Sequence, residues 1–359
     1  MRYSDPLERW LSLGDDTTFP ELAAVRLQIA HAALNKLEAY LRQPNKKTRL
    51  HDIGAIDYVV PSQMPGTDVA RAEKLYRQLY EICGNGSLYA QDGILALIAS
   101  SRYSESIPFW LEVLDWSRPR DTFSTQRRIR ALAALAYLAL HGSRGAETAL
   151  AQAAQHPNPD VRALAVHYWS RLYTDPDRKL PRRTAQAFQR IAVKDAAFSP
   201  RFQARKFLRQ RALPVPQDTP GGVYAFKVCF RRAKSVFSRT LELRAEQTLE
   251  DLHRAIQAAL AWDNDHLYSF FLNHDEAAEL YCFSCPQQKD NPPWTHEAVA
   301  GELGLVRQRK FLYLFDYGDQ HLFEIEVVDI QKQAAPKVKY PRVADRQGEA
   351  PSQYHSGDE

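Results

Sequence analysis

The chain has 359 residues, of which 45% are hydrophobic, 25% charged and 11% aromatic, with a formal net charge of +4. At ~100–200 residues per domain this predicts two domains, each able to bury a core, and it excludes collagen-like, mucin-like and wholly disordered chains. The most apolar run, Ala131 to Leu140, falls well short of the ~20 residues of a membrane span. Met1–Pro6 has no apolar signal core. The expectation is a cytoplasmic protein with no membrane partner.

The first 212 residues read as a helical domain. From Pro20 to Gln43, Leu22, Val25, Ile29, Ala33, Leu37 and Leu41 form one stripe at the 3.6-residue period. Further amphipathic helices are expected near Ala70–Cys83, Leu88–Ser100 and Ile107–Trp116, with Tyr76, Tyr80, Phe109 and Trp110 in the core. Ile129-Arg-Ala-Leu-Ala returns as Val161-Arg-Ala-Leu-Ala, and Leu140 maps onto Leu172. The second copy is introduced by Pro157-Asn158-Pro159-Asp160, a turn that supplies a helix N-cap. This resembles the HEAT repeat, in which helix pairs stack and each buries its apolar face only against its neighbours. Ser199–Ala204 reads as a third, degenerate copy.

Residues 213–222, with three prolines and two glycines, read as a linker, because they cannot continue a helix. Beyond them the period changes to two. Tyr224, Phe226, Val228 and Phe230 alternate, as do Phe237, Arg239, Leu241 and Leu243, predicting a hairpin. Thr248 caps a helix with Leu249, Leu252, Ile256 and Leu260 at helical spacing. Strands follow over His266–Leu272, Lys310–Asp316 and His321–Gln331. The fold class is therefore α+β multidomain: an all-α, HEAT-like repeat domain, then a small ββα-βββ domain over 223–333, with one helix on a mixed or antiparallel sheet. Residues 334–359 are expected to be an extended tail with a disordered end.

Three ordered motifs carry a family resemblance: Leu252–Gln257 leading into Trp262-Asp263-Asn264-Asp265-His266-Leu267-Tyr268-Ser269-Phe270, then Lys310–Asp319, then Tyr340-Pro341-Arg342-Val343 before Gly348-Glu349-Ala350-Pro351. Over about 223–352 the chain resembles the plasmid pRiA ORF-three-like family, which includes insertion-element passenger "TnpR" proteins. The resemblance implies a small α+β domain carried on plasmids, insertion elements and bacterial chromosomes, and it brings no particular reaction. The family continues the Asp-Tyr/Phe-Gly-Asp turn with Asp-Trp-Glu-His, where this chain has Gln320-His321-Leu322-Phe323. Family tails often carry cysteines, and Arg346–Glu359 has none. A metal site built on those groups is not expected.

Two clusters are candidates for chemistry. Asp263, Asp265 and His266 precede one strand; Asp316 and Asp319 bracket a glycine turn. Brought to one sheet edge they could hold Mg²⁺ or Mn²⁺ for phosphodiester hydrolysis, although Asp and Asn in turns ordinarily bond their own backbone. Cys282 and Cys285 form a C-x-x-C flanked by His274 and His296. Four such ligands suit zinc, and the plainer reading is two thiols in a surface loop. Phosphate-loop, nucleophile-elbow and His-Glu-x-x-His signatures are missing, and resolvase chemistry would need a nucleophilic serine among arginines in another fold. His31, His141, His156 and His167 lie on or beside helices.

Charge is unevenly spread. Between Arg178 and Arg244 only Asp195, Asp218 and Glu242 oppose a long run of Arg and Lys, while beyond Arg244 acids outnumber bases about two to one. Arg201, Arg205 and Arg209 recur at i, i+4 and i+8 on one helix face and, with Arg231 and Arg232, are candidates for phosphate contacts. The leading expectation is a non-enzymatic interaction or scaffold protein with a protein partner and no cofactor or metal. The alternatives are a nucleic-acid-binding accessory factor of a mobile element or defence locus, and a metal-dependent nuclease or other hydrolase.

Overall fold

The computed structural model describes residues 23–42, 66–83, 94–95, 98, 104–115, 124–231, 237–276, 279–289 and 292–354. The chain divides into two compact units, Met1–Pro181 and Arg182–Glu359.

The described part of the first unit is helical: α1 (Ala23–Arg42), α2 (Gly66–Cys83), α3 (Ile107–Asp115), α4 (Ser124–Leu140), α5 (Arg144–Ala153) and α6 (Pro159–Arg171). In α1 the expected stripe is buried only in its second half. Ala33 and Leu37 are buried with Ala30 and Leu34, whereas Val25 and Ile29 are exposed. Of the helix expected at Leu88–Ser100, Ile94, Leu95 and Ile98 are helical and buried, and the rest lies outside the described residues. Tyr76, Tyr80, Phe109 and Trp110 are core residues. The two sequence copies fall in α4 and α6, with α5 between them, and the three helices pack on one another. Asn158 caps α6 through the Asp160 amide at 2.8 Å, with Pro159 in the first turn, where a proline leaves no helical hydrogen bond unmade. Glu147 on α5 accepts from the Trp169 indole of α6 and from the Tyr173 hydroxyl.

The second unit begins with α7 (Arg182–Lys194) and α8 (Phe198–Gln210). Its sheet has strands β1 (Val223–Phe230), β2 (Ser238–Arg244), β3 (Tyr268–Phe271), β4 (Cys282–Ser284), β5 (Lys310–Phe315), β6 (His321–Gln331) and β7 (Arg342–Gln347), with α9 (Leu249–Leu260) after β2. The order is β4-β3-β5-β6-β1-β2-β7, and every neighbouring pair is antiparallel. Alternation places Phe226, Phe311, Tyr313, Phe323, Ile325 and Val327 on one face, against Leu249, Leu252 and Ile256 of α9. A capping box starts α9: the Thr248 hydroxyl accepts from the Asp251 amide at 3.2 Å, and Asp251 accepts from the Thr248 amide at 2.8 Å.

Three features differ from the sequence reading. Phe198 and Phe202 of α8 lie in the same core as the sheet, so α8 belongs to the α+β unit and is not a third repeat. Residues 213–222 lie inside the second unit. There Asp218 pairs with Arg205 and its amide donates to Gly301 O at 3.0 Å, while a Cβ on Gly222 would stand 2.5 Å from Gln331 O. That glycine serves close packing and not slack. The expected tail is also structured: β7 extends the sheet beside β2, and residues 351–353 are held through Trp262 Nε1–Pro351 O (2.8 Å) and Asp263 N–Gln353 Oε1 (2.6 Å). Residues 355–359 lie outside the described residues.

Candidate functional site

Strand register brings the two predicted clusters to one sheet edge. Tyr268 of β3 faces Phe315 of β5, and Phe315 faces His321 of β6. The residues just before β3 and those between β5 and β6 therefore share an end of the sheet. The Asp316 amide donates to Leu267 O at 3.0 Å, which fastens the two segments. Asp316 adopts the left-handed conformation (φ +56°), and its Oδ1 accepts from the Gly318 amide at 2.8 Å and the Asp319 amide at 3.3 Å. This is the self-bonded turn that Asp favours.

Asp316 Oδ2 remains directed at His266, whose Nε2 stands 3.5 Å from it and 3.6 Å from Asp265 Oδ1. Asp265 is anchored by the Tyr354 hydroxyl at 2.7 Å and by Gln353 Nε2 at 2.9 Å. The Tyr354 hydrogen bond is the main reason the Asp265 carboxyl is held below its ordinary value, and the same bond pushes the Tyr354 phenol up to about 12. Asp263 enters differently from expectation, through backbone bonds from its N–H and C=O to Gln353.

His321, set aside at the sequence level as a departure from the family pattern, is the residue sequence reasoning missed. It is 4% exposed, and its ring lies 4.7 Å from that of Trp262. One donor atom each from Asp316, Asp319 and His321 lie within 4.8 Å of one another, the one such metal-compatible group among the described residues. Ligands around a divalent transition metal sit ~2.0–2.2 Å from the ion and hence roughly 3–4 Å apart, somewhat closer than the 4.8 Å limit of this trio. Exposed Leu267, Tyr317 and Tyr354 adjoin the cluster in sequence or by hydrogen bond.

The C-x-x-C pair does not form the surface loop expected of it. Cys282 opens β4 and Cys285 is buried. His274 pairs with Glu324 at 2.7 Å and His296 lies 4.0 Å from Glu297.

The α8 arginines face inward. Arg205 is 1% exposed, with Nε donating to Ala192 O at 2.9 Å and both Nη atoms to the Asp218 carboxylate at 2.8 and 2.7 Å. Arg201 donates to Asp195 O (2.7 Å), Ala196 O (3.1 Å) and Gly304 O (3.2 Å). Arg209 pairs with Glu302 at 3.2 Å. The shared face predicted from their spacing exists, but its guanidinium groups bind α7, the Pro/Gly segment and the 301–304 turn. Arg231 is half exposed and pairs with Glu276 at 3.3 Å; Arg232 lies outside the described residues.

Residues 222–357 match the family model of the plasmid pRiA4b ORF-3-like protein, over nearly the span of the resemblance. A crystal structure of a protein of unknown function from Methanosarcina mazei Go1 is similar to 37% of this chain and 72% of its own, at 22% identity and a TM-score of 0.32. No curated protein matches the chain. Among the described residues, no helix is long and apolar enough to cross a membrane.

Proposed function

We propose that this is a non-enzymatic binding protein whose second unit holds a divalent transition-metal ion at Asp316, Asp319 and His321, beside an apolar rim that contacts a partner. The supporting observation is the convergence of two carboxylates and one imidazole within 4.8 Å, from the two ends of one β-hairpin turn. A mixed oxygen and nitrogen donor set suits Zn²⁺ or Mn²⁺ better than Ca²⁺. Leu267, Tyr317 and Tyr354, 40%, 38% and 51% exposed, offer the amphipathic and apolar contact area that protein interfaces favour.

Isothermal titration of chelator-treated full-length protein with Zn²⁺ and with Mn²⁺ tests the reading. One site per chain is expected, with affinity reduced at least tenfold in Asp319→Asn, a change at an exposed position whose folding circular dichroism checks. Equal affinity in wild type and variant, or no binding of either ion, would overturn it. A second reading, metal-dependent phosphodiester hydrolysis, is favoured by the His266 imidazole 3.5 Å from Asp316. It requires Mn²⁺-dependent cleavage of DNA or RNA that disappears in His266→Gln.

A further inference from the structure

The seventeen basic residues between Arg178 and Arg244 are not all committed to internal pairs. Those on α7 behave unlike those on α8. Along α7, Thr184, Phe188 and Ala192 are buried, and Phe188 packs at a tilt against Phe207 of α8 with ring centroids 4.2 Å apart. Arg182, Arg183, Gln186, Gln189, Arg190, Val193 and Lys194 are all exposed. At 3.6 residues per turn these seven fall within roughly 140° of arc, opposite the buried three. The helix carries no acid, and among the described residues none of its four cations has an acidic partner. Asp195, just past its end, turns its carboxylate to the Ala197 amide at 2.9 Å.

This charge does not serve the helix. Arg182 and Arg183 occupy the first turn, where no acidic residue stands and where the helix macrodipole disfavours cations. The face also lacks a membrane wedge: its one large apolar side chain is Val193, 58% exposed, whereas interfacial helices bury a broad apolar face in lipid. Cations interleaved with two glutamines match a phosphate backbone, since both side-chain types bond phosphate oxygens. The face is ~18 Å long at 1.5 Å per residue, a length over which duplex DNA presents about ten phosphates.

We infer that the outward face of α7 (Arg182, Arg183, Arg190 and Lys194) is a nucleic-acid-binding surface that grips the phosphate backbone without reading base sequence. The inward-facing arginines of α8 hold it in place: Arg205 bonds Ala192 O in the last turn of α7, and Arg201 bonds Asp195 O just past its end.

The test is fluorescence anisotropy of full-length protein with a labelled 30-base-pair duplex and with a single strand of the same sequence, from 50 to 200 mM NaCl. Four neutralised phosphates give a log–log slope of about −3.6 for duplex, hence a roughly 150-fold loss of affinity over that range, and about −2.8 for a single strand. Replacing all four cations by Gln should abolish binding at 50 mM salt. Arg182→Gln/Arg190→Gln should reduce the duplex slope by about 1.8, while Lys332→Gln/Lys337→Gln, at exposed positions elsewhere on the unit, should leave it unchanged. Circular dichroism confirms folding of each variant. Binding to either probe that is lost with the α7 cations supports the inference. No binding at 50 mM salt, a slope unaffected by the α7 changes, or binding to phosphatidylserine vesicles without binding to nucleic acid would overturn it.

Discussion

Lowering the pH from 7 to 5, above the range in which the unit's carboxylates titrate, should destabilise the second unit chiefly through His253. Its ring is 1% exposed and stacks on Tyr268 at 3.5 Å. Nδ1 lies 2.8 Å from the Tyr313 hydroxyl and Nε2 2.8 Å from Asn264 Oδ1, and Gln257 Nε2 donates to the same Tyr313 oxygen at 2.8 Å. One neutral tautomer satisfies all three contacts, with Nε2–H donating to Asn264 and Nδ1 accepting from Tyr313. Burial, more than any neighbouring charge, holds this imidazole down from 6.5 to about 4. The unfolded chain therefore takes up a proton that the folded chain refuses, and stability falls as pH drops from about 6.5 to about 4. The loss is about 2 kcal/mol at pH 5 and approaches about 3 kcal/mol at pH 4. Urea unfolding of wild type and His253→Phe, followed by tryptophan fluorescence at pH 7, 6 and 5, checks this. The variant keeps a ring against Tyr268 but cannot titrate, so it should be less stable at pH 7 and nearly free of the extra acid slope. Parallel pH dependences for the two proteins would refute the argument, as would an NMR titration of His253 with a midpoint near 6.5.

Two further outcomes follow from the same unit. Asp218→Ala leaves the Arg205 guanidinium buried without its carboxylate, and unfolding of the α+β unit should be easier by about 3 kcal/mol; a change under 0.5 kcal/mol would mean that the Pro/Gly segment is not fastened there. Thr248→Ala removes one half of the α9 capping box and should lower stability by about 1 kcal/mol, read as a shift in denaturant midpoint at constant slope.

The elements that were legible in the sequence are those with a periodic apolar face. β1, β2 and β6 alternate because one face of each packs on the core, β5 is a continuous apolar run buried on both faces, with Leu312 and Leu314 in a second cluster, and α9 announces itself by Thr248 and the Leu249–Leu260 spacing. β7 was illegible for a physical reason. Its residues read Arg-Val-Ala-Asp-Arg-Gln and are mostly exposed, as an edge strand guarded by charge should be, so no burial pattern marks it. β4 has only three residues, too few for any period. At the candidate site the segments could be paired by eye, because Asp and His beside strand ends stand out. The register that carries His321 to Asp316 could not, since it follows from the Phe315–His321 pairing across the turn.

The basic helices show where such reading stops. Spacing at i, i+4 and i+8 correctly predicted that Arg201, Arg205 and Arg209 share a face, yet spacing carries no sign telling whether that face looks inward or outward. The sign comes from what else the helix must bury. α8 packs on two sides, with Phe207 on α7 and Phe202 in the sheet core, so little of its circumference is left for solvent. Its guanidinium heads bond carbonyls and carboxylates of neighbouring segments. α7 packs on one side only, so its cations remain in water. The same residue type thus has opposite roles on neighbouring helices, structural where a second packing surface exists and available to phosphate where none does.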